Sequence, residues 1–162
     1  MPVGYYGKRR CKSREEVLRL AEELIGQSKV LAVDTETVSL KDTTLLGVSI
    51  ATSPGDAFYW SASEDIPWQV LLSNRPKVYF NAPFDLEVMG QVLGKNSVFP
   101  LSAGLTDAST MAHLTGRFGE LHELAAEFQI EVHSAKELLD GAGTMLKLPI
   151  ETVAKKCCQD AK

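Results

Sequence analysis

The chain has little that would tie it together covalently and nothing that would carry it across a membrane. Its 162 residues include three cysteines, Cys11 and the vicinal Cys157 and Cys158. That is too few for a disulfide framework, and none has the Cys-x-x-Cys spacing of a zinc site. An intracellular, cytoplasmic setting with reduced thiols is therefore expected. No apolar run reaches the roughly 18 residues of a membrane span, and Met1-Pro2-Val3-Gly4-Tyr5-Tyr6 has no apolar leader core. Internal repeats and low-complexity tracts are absent. Positive charge is also short: 17 Lys and Arg against 21 Asp and Glu leave a net charge of −4. This is the reverse of the usual basic footprint of a nucleic-acid binder. The deficit excludes phosphate binding by bulk charge alone. It does not exclude a carboxylate site whose bound divalent cations neutralise phosphates.

What is present is ordinary for a globular chain, with 44% hydrophobic and 23% charged residues. The length suits one globular domain, expected over residues 29–162, with a basic arm and first helix over 1–28. In the arm, Lys8, Arg9, Arg10, Lys12 and Arg14 crowd together, as a solvated segment or a phosphate contact. Ser13-Arg14-Glu15-Glu16 has capping-box form, and the apolar spacing after it predicts a helix over 14–25, stopped by Gly26. Lys29 to Thr37 reads as a buried central strand ending in two acids. Residues 44–51 and 57–61 read as further strands, and the turn Ser53-Pro54-Gly55-Asp56 makes the three an antiparallel meander. A short helix is expected at Ile66–Leu72 and a fourth strand at Lys77–Phe80.

The rest is read as helical. Pro83 suits a first helical position, so the fourth strand hands over directly to a helix. Asp107 can cap a helix through Leu114, and Glu120–Phe128 carries apolar residues at helical spacing. Ser134-Ala135-Lys136-Glu137 is a second capping box, and Gly141 and Gly143 break the chain. Pro149 opens a last helix with Ile150, Val153, Ala154, Cys157 and Ala161 on its inner face.

Within this layout four acids take notable positions. Asp34 and Glu36 share one strand face, at the strand end where open α/β sheets bind ligands. Asp85 falls in the first turn of a helix, where it also suits the helix dipole. Asp160 borders the inner face of the last helix. If the four converge they cannot all stay charged unaided, since two like charges ~4 Å apart repel by roughly 4 kcal/mol at an effective dielectric of 20. Protons or cations must join them. All-oxygen ligands suit Mg²⁺ or Mn²⁺ rather than zinc, and two such ions could activate water against a phosphodiester.

Val33-Asp34-Thr35-Glu36-Thr37, followed by Ser39-Leu40 and Gly47-Val48-Ser49, resembles the first motif of the 3′–5′ proofreading exonuclease domain of family-A (bacterial DNA polymerase I-like) DNA polymerases. Asn81-Ala82-Pro83-Phe84-Asp85 resembles the second motif. Asp107-Ala108-Ser109-Thr110-Met111 and Leu121-His122-Glu123-Leu124-Ala125 resemble the helices that follow, and Val153 to Ala161 the third motif. The ordered set is more specific than any one motif. The resemblance implies a DEDD exonuclease with an α/β, ribonuclease-H-like mixed sheet, an antiparallel meander plus parallel strands, flanked by helices. It implies that Asp34, Glu36, Asp85 and Asp160 hold two Mg²⁺ or Mn²⁺ ions and that the substrate is a single-stranded or frayed 3′ end of DNA. The Thr37 backbone and Glu36 would lie near the 3′-hydroxyl, and Asn81 near the substrate strand. Leu40 would wedge against the terminal bases, although core packing is its ordinary reading. A polymerase domain or subunit would be the partner, the chain being either an excised fragment or a free-standing exonuclease.

The sequence departs from that family where it normally has a Tyr four residues before the last Asp, or a His five before it. Lys156 and Lys155 stand there. Lys156 is then either a solvated helix lysine or an ammonium that reaches Asp160, one turn away, and weakens catalysis. Two other readings stay open: a ribonuclease D-like RNA exonuclease with the same acids, and a non-catalytic exonuclease-fold module that binds single strands or scaffolds a polymerase.

Overall fold

The computed structural model describes residues 3–139 and 143–162. The expected break at Gly141 lies outside them. The elements run β1 (Val3–Tyr6), α1 (Arg14–Gln27), β2 (Leu31–Thr37), β3 (Leu45–Ser53), β4 (Asp56–Ser61), α2 (Trp68–Leu71) and β5 (Lys77–Tyr79). They continue through α3 (Ala82–Leu93), α4 (Val98–Leu101), β6 (Leu105–Asp107), α5 (Ala108–Leu114), α6 (Leu121–Glu127), α7 (Ala135–Leu139) and α8 (Ile150–Ala161). Among the described residues no helix is long and apolar enough to cross a membrane.

The strands form one six-stranded sheet in the order β1-β4-β3-β2-β5-β6. β2, β3 and β4 are the antiparallel meander, while β5 lies parallel to β2 and β6 parallel to β5. This is the ribonuclease-H-like mixed sheet expected from the sequence, with one further strand at each edge. Strand alternation divides the core in two. Leu31, Val33, Val48, Ile50 and Phe58 pack with α1 and α3 on one face. Ala51, Ala57 and Tyr59 pack with Val153, Ala154, Cys157, Cys158 and Ala161 of α8 on the other. Ser49 faces the same side and donates to the Cys157 carbonyl at 2.7 Å, pinning α8 across the middle of the sheet.

Local expectations hold with informative exceptions. Ser13 caps α1 by accepting from the Glu16 N–H at 3.2 Å, but the Glu16 carboxylate takes the Lys12 N–H, so the box is offset by one residue. The box at Ser134 and Glu137 is complete in both directions. Helix α1 runs through Gly26 to Gln27, because the Ser28 N–H closes on the Leu24 carbonyl and no left-handed residue is needed. Pro83 is second in α3, behind Ala82. Ile150 is 40% exposed and does not join the inner face expected for it, and α6 ends at Glu127, with Phe128 as its 62% exposed C-cap. Two strands were not anticipated. β1 emerges from the basic arm and pairs with β4, and β6 is three residues long at the head of α5. Both are edge strands whose pairing, not their composition, makes them strands.

Gly47 shows how tightly the α8 face is built beside β2. It pairs with Glu36 across the sheet, and a Cβ there would run into the phenol of the fully buried Tyr59. Gly47→Ala is expected to destabilise the protein by roughly 1–3 kcal/mol through overpacking, read as a shifted denaturant midpoint with an unchanged slope.

Candidate active site

The two acids of β2 point toward α8 because they share parity with Ala32, which packs on that face. Thr35, between them, points the other way, toward α3. There its N–H and hydroxyl both donate to Asp85 Oδ1, at 3.0 and 2.7 Å. One strand thus carries two acids on one face and from its other face holds the third. The ladder slips between Glu36 and Thr37, and such a bulge twists and re-aims a strand end. Asp85 itself is 2% exposed at the start of α3, where unpaired N–H groups and the helix dipole favour a carboxylate.

Helix α8 supplies the rest. Lys156 Nζ donates to Asp160 Oδ2, one turn along the same helix, with both side chains largely enclosed. The solvated-lysine reading of Lys156 is therefore excluded; the residue is 7% exposed. Cys157, between them and the sheet, sends its Sγ to the Asp34 carbonyl at 3.5 Å. Its sulfur and one oxygen each of Asp34 and Glu36 all lie within 4.8 Å of one another.

Electrostatics describe a crowded site. Burial, then the charges of Asp85, Asp160 and Glu36, hold the Asp34 carboxyl far above its ordinary range against the relief from Lys156. Glu36 is pushed up to about 7, mainly by burial, with Lys156 opposing and Asp160 and Asp85 adding. Asp85 is pushed up to about 7 by burial despite its bonds from Thr35, with Asp107 nearby adding repulsion. Burial also raises Asp160, against the pull of Lys156 and, more weakly, of His122 on α6. For Lys156, burial favours the neutral amine, but Asp160, Glu36 and Asp34 outweigh it and keep the ammonium charged. A metal is implied by this donor set and fits it. Asp34 Oδ2 and Asp160 Oδ1 are both shielded from solvent without a hydrogen-bond partner, as a ligand atom awaiting a cation would be. Oxygen ligands predominate, which suits a hard ion.

The other expected site residues are placed as follows. Thr37 is buried, its hydroxyl turned to the Ser39 carbonyl at 3.2 Å. Leu40 is 88% exposed, which removes the core-packing reading. Asn81 caps α3 in the left-handed region (φ 63°), and its N–H reaches Asp107 Oδ1 at 3.0 Å. Three neighbours of the acids were not anticipated: Thr35, Asp107 and the thiol of Cys157. Thr35 was legible in principle as the one residue between two same-face acids. Asp107 and Cys157 were not, since only folding brings them near. An apolar cavity of about 300 Å³ adjoins Asp160, walled by Tyr79, Leu124 and Phe128 among others.

Comparison with known proteins adds three findings. The sequence model of the 3′–5′ exonuclease family matches residues 10–140, from α1 through α7, and stops short of Asp160. No curated protein matches the chain. Solved structures share the fold: the catalytic core of RRP6 from Trypanosoma brucei (20% identity, TM-score 0.61, 93% of this chain and 42% of that one); RNase D from Trypanosoma brucei (16% identity, TM-score 0.63, 96% of this chain and 61% of that one); and the Nibbler EXO domain from Aedes aegypti (12% identity, TM-score 0.58, 91% and 78%). The chain thus spans less than two thirds of the RRP6 core and of RNase D.

The raised carboxyls have a thermodynamic consequence. Between their unfolded values near 4 and folded values reaching about 7 for Glu36 and Asp85, the native state holds more protons than the unfolded one. Stability must then fall as pH rises through that window. In EDTA the melting temperature is expected to drop between pH 5 and pH 8, by about 2–4 °C per kcal/mol lost. Mg²⁺ or Mn²⁺ should restore it, and Asp34→Asn should flatten the slope. A melting temperature that rises over this range in EDTA would contradict the geometry.

Proposed function

The chain belongs to the 3′–5′ exonuclease family, and on that premise we propose that it hydrolyses the terminal phosphodiester at the 3′ end of single-stranded or frayed DNA, releasing nucleoside monophosphates. The observation that carries this reading is the convergence on one patch of Asp34 and Glu36 from β2, Asp85 from α3 and Asp160 from α8. Mg²⁺ or Mn²⁺ held by these four acids would supply a hydroxide at neutral pH and offset charge on the phosphoryl oxygens.

The protein's own groups orient the rest. Thr35 fixes Asp85 through two hydrogen bonds to one oxygen, so the second oxygen keeps a defined direction. Leu40 stands out from the loop after β2, free to press on an unpaired terminal base. Asn81, on its left-handed turn, would lie near the substrate strand, and the Thr37 backbone near the 3′-hydroxyl. Lys156 offers no phenol or imidazole to orient water, so the rate is expected to be low for the family.

DNA is the first substrate because the motifs around Asp34, Asp85 and Asp160 resemble those of polymerase proofreading domains. RNA is the second, favoured by the solved relatives, among them RNase D from Trypanosoma brucei in complex with RNA U12. Purified protein incubated with 5′-labelled DNA and RNA in Mn²⁺ should shorten one of them stepwise from the 3′ end, and EDTA should stop it. Asp34→Asn should lower that rate by roughly 10²–10³-fold. Retained binding with no shortening of either strand would instead identify a non-catalytic module.

Lys156→Tyr provides a separate check. It restores a hydroxyl that can orient water, and should raise the cleavage rate by about tenfold or more. A variant that folds and cleaves no faster would mean that Lys156 does not limit the reaction.

A further inference from the structure

Lys156 does more than replace an aromatic residue. Its ammonium is fastened to Asp160 Oδ2, and its side chain is 8% exposed and that of Asp160 12%. The following residues, Cys157 and Cys158, are fully buried against the sheet, and the Cys157 carbonyl is held by Ser49. These contacts hold helix α8 on the sheet with Lys156 turned into the site. Among the described residues, Asp160 Oδ1 and, on the β2 side, Asp34 Oδ2 are shielded from solvent without a hydrogen-bond partner.

We propose that the Lys156 ammonium is a built-in cation of this acidic site, occupying the Asp160 side in place of a second divalent ion. The site then takes one divalent cation with high affinity, not two. Counting formal charge, the four carboxylates and one ammonium leave three negative charges. One divalent ion reduces these to one, whereas a second would make the site positive and sit against an ammonium enclosed beside Asp160. Like charges enclosed together are costly. The ion that remains belongs on the Asp34 and Glu36 side, where Asp34 Oδ2 is free of any donor. The inference deepens the exonuclease reading and rests on it for the class of ion. Its test does not involve cleavage.

Mn²⁺ binding to the metal-free full chain, followed by calorimetry and by the loss of the free-ion electron paramagnetic resonance signal, reads the number of ions directly. The wild-type chain should bind one Mn²⁺ tightly. Lys156→Met, which removes the charge and keeps an unbranched chain, should bind a second ion at least about tenfold more tightly than wild type does. Lys156→Gln repeats the test should the Met variant fail to fold. Lys156→Arg keeps the charge and should stay at one. Two equivalent ions on the wild type, or no gain in a folded Met or Gln variant, would overturn the proposal while leaving EDTA-sensitive cleavage intact. Absence of any Mn²⁺ binding in wild type and variants would overturn it together with the metal-dependent reading.

Discussion

Carboxylates brought together out of water repel one another, and most of what is distinctive in this molecule answers that repulsion. Asp34, Glu36, Asp85 and Asp160 all sit where burial favours their neutral forms. Each has a local source of relief or a reason to await one. Asp85 has the two donors of Thr35 and a helix N-terminus, Asp160 and, through space, Glu36 have Lys156, and Asp34 keeps an oxygen with no donor. Such a cluster stores unfavourable energy that only protons or cations discharge, so the fold around it must be stiff enough to prevent the acids from separating.

That stiffness comes from the sheet and α8. The meander fixes β2 on one side and the parallel strand β5 fixes it on the other, so the direction of each β2 side chain is set by alternation alone. Helix α8 is then clamped by an apolar face and by Ser49. Gly47 permits Tyr59 to lie against the strand next to Glu36, which closes that side of the site. The core and the site are therefore one construction. A change that loosens α8 moves Asp160, Lys156 and Cys157 together.

The placement of Lys156 carries the most information about this particular chain. The family's sequence model spans residues 10–140 and so ends before Asp160, and the solved relatives share the fold. A buried ammonium inside the acidic cluster alters the charge balance of the site.

Much of the layout could be read from residues in order. The alternation of β2, the turn at Ser53-Pro54-Gly55-Asp56, the capping boxes and the apolar stripe of α8 are short-range signals, carried by neighbours within a few residues. They were enough to mark Asp34, Glu36, Asp85 and Asp160 and to put Lys156 on the face of Asp160. What the sequence could not determine was long-range. β1 and β6 exist because a neighbouring strand offers hydrogen bonds, and the Cys157 thiol reaches Asp34 across a separation of 123 residues. The direction of Thr35 follows from alternation, but its grip on Asp85 needs α3 to arrive behind the strand. Likewise, spacing alone left Lys156 either solvated or buried; only the docking of α8 against the sheet removed the water around it and made its charge part of the site.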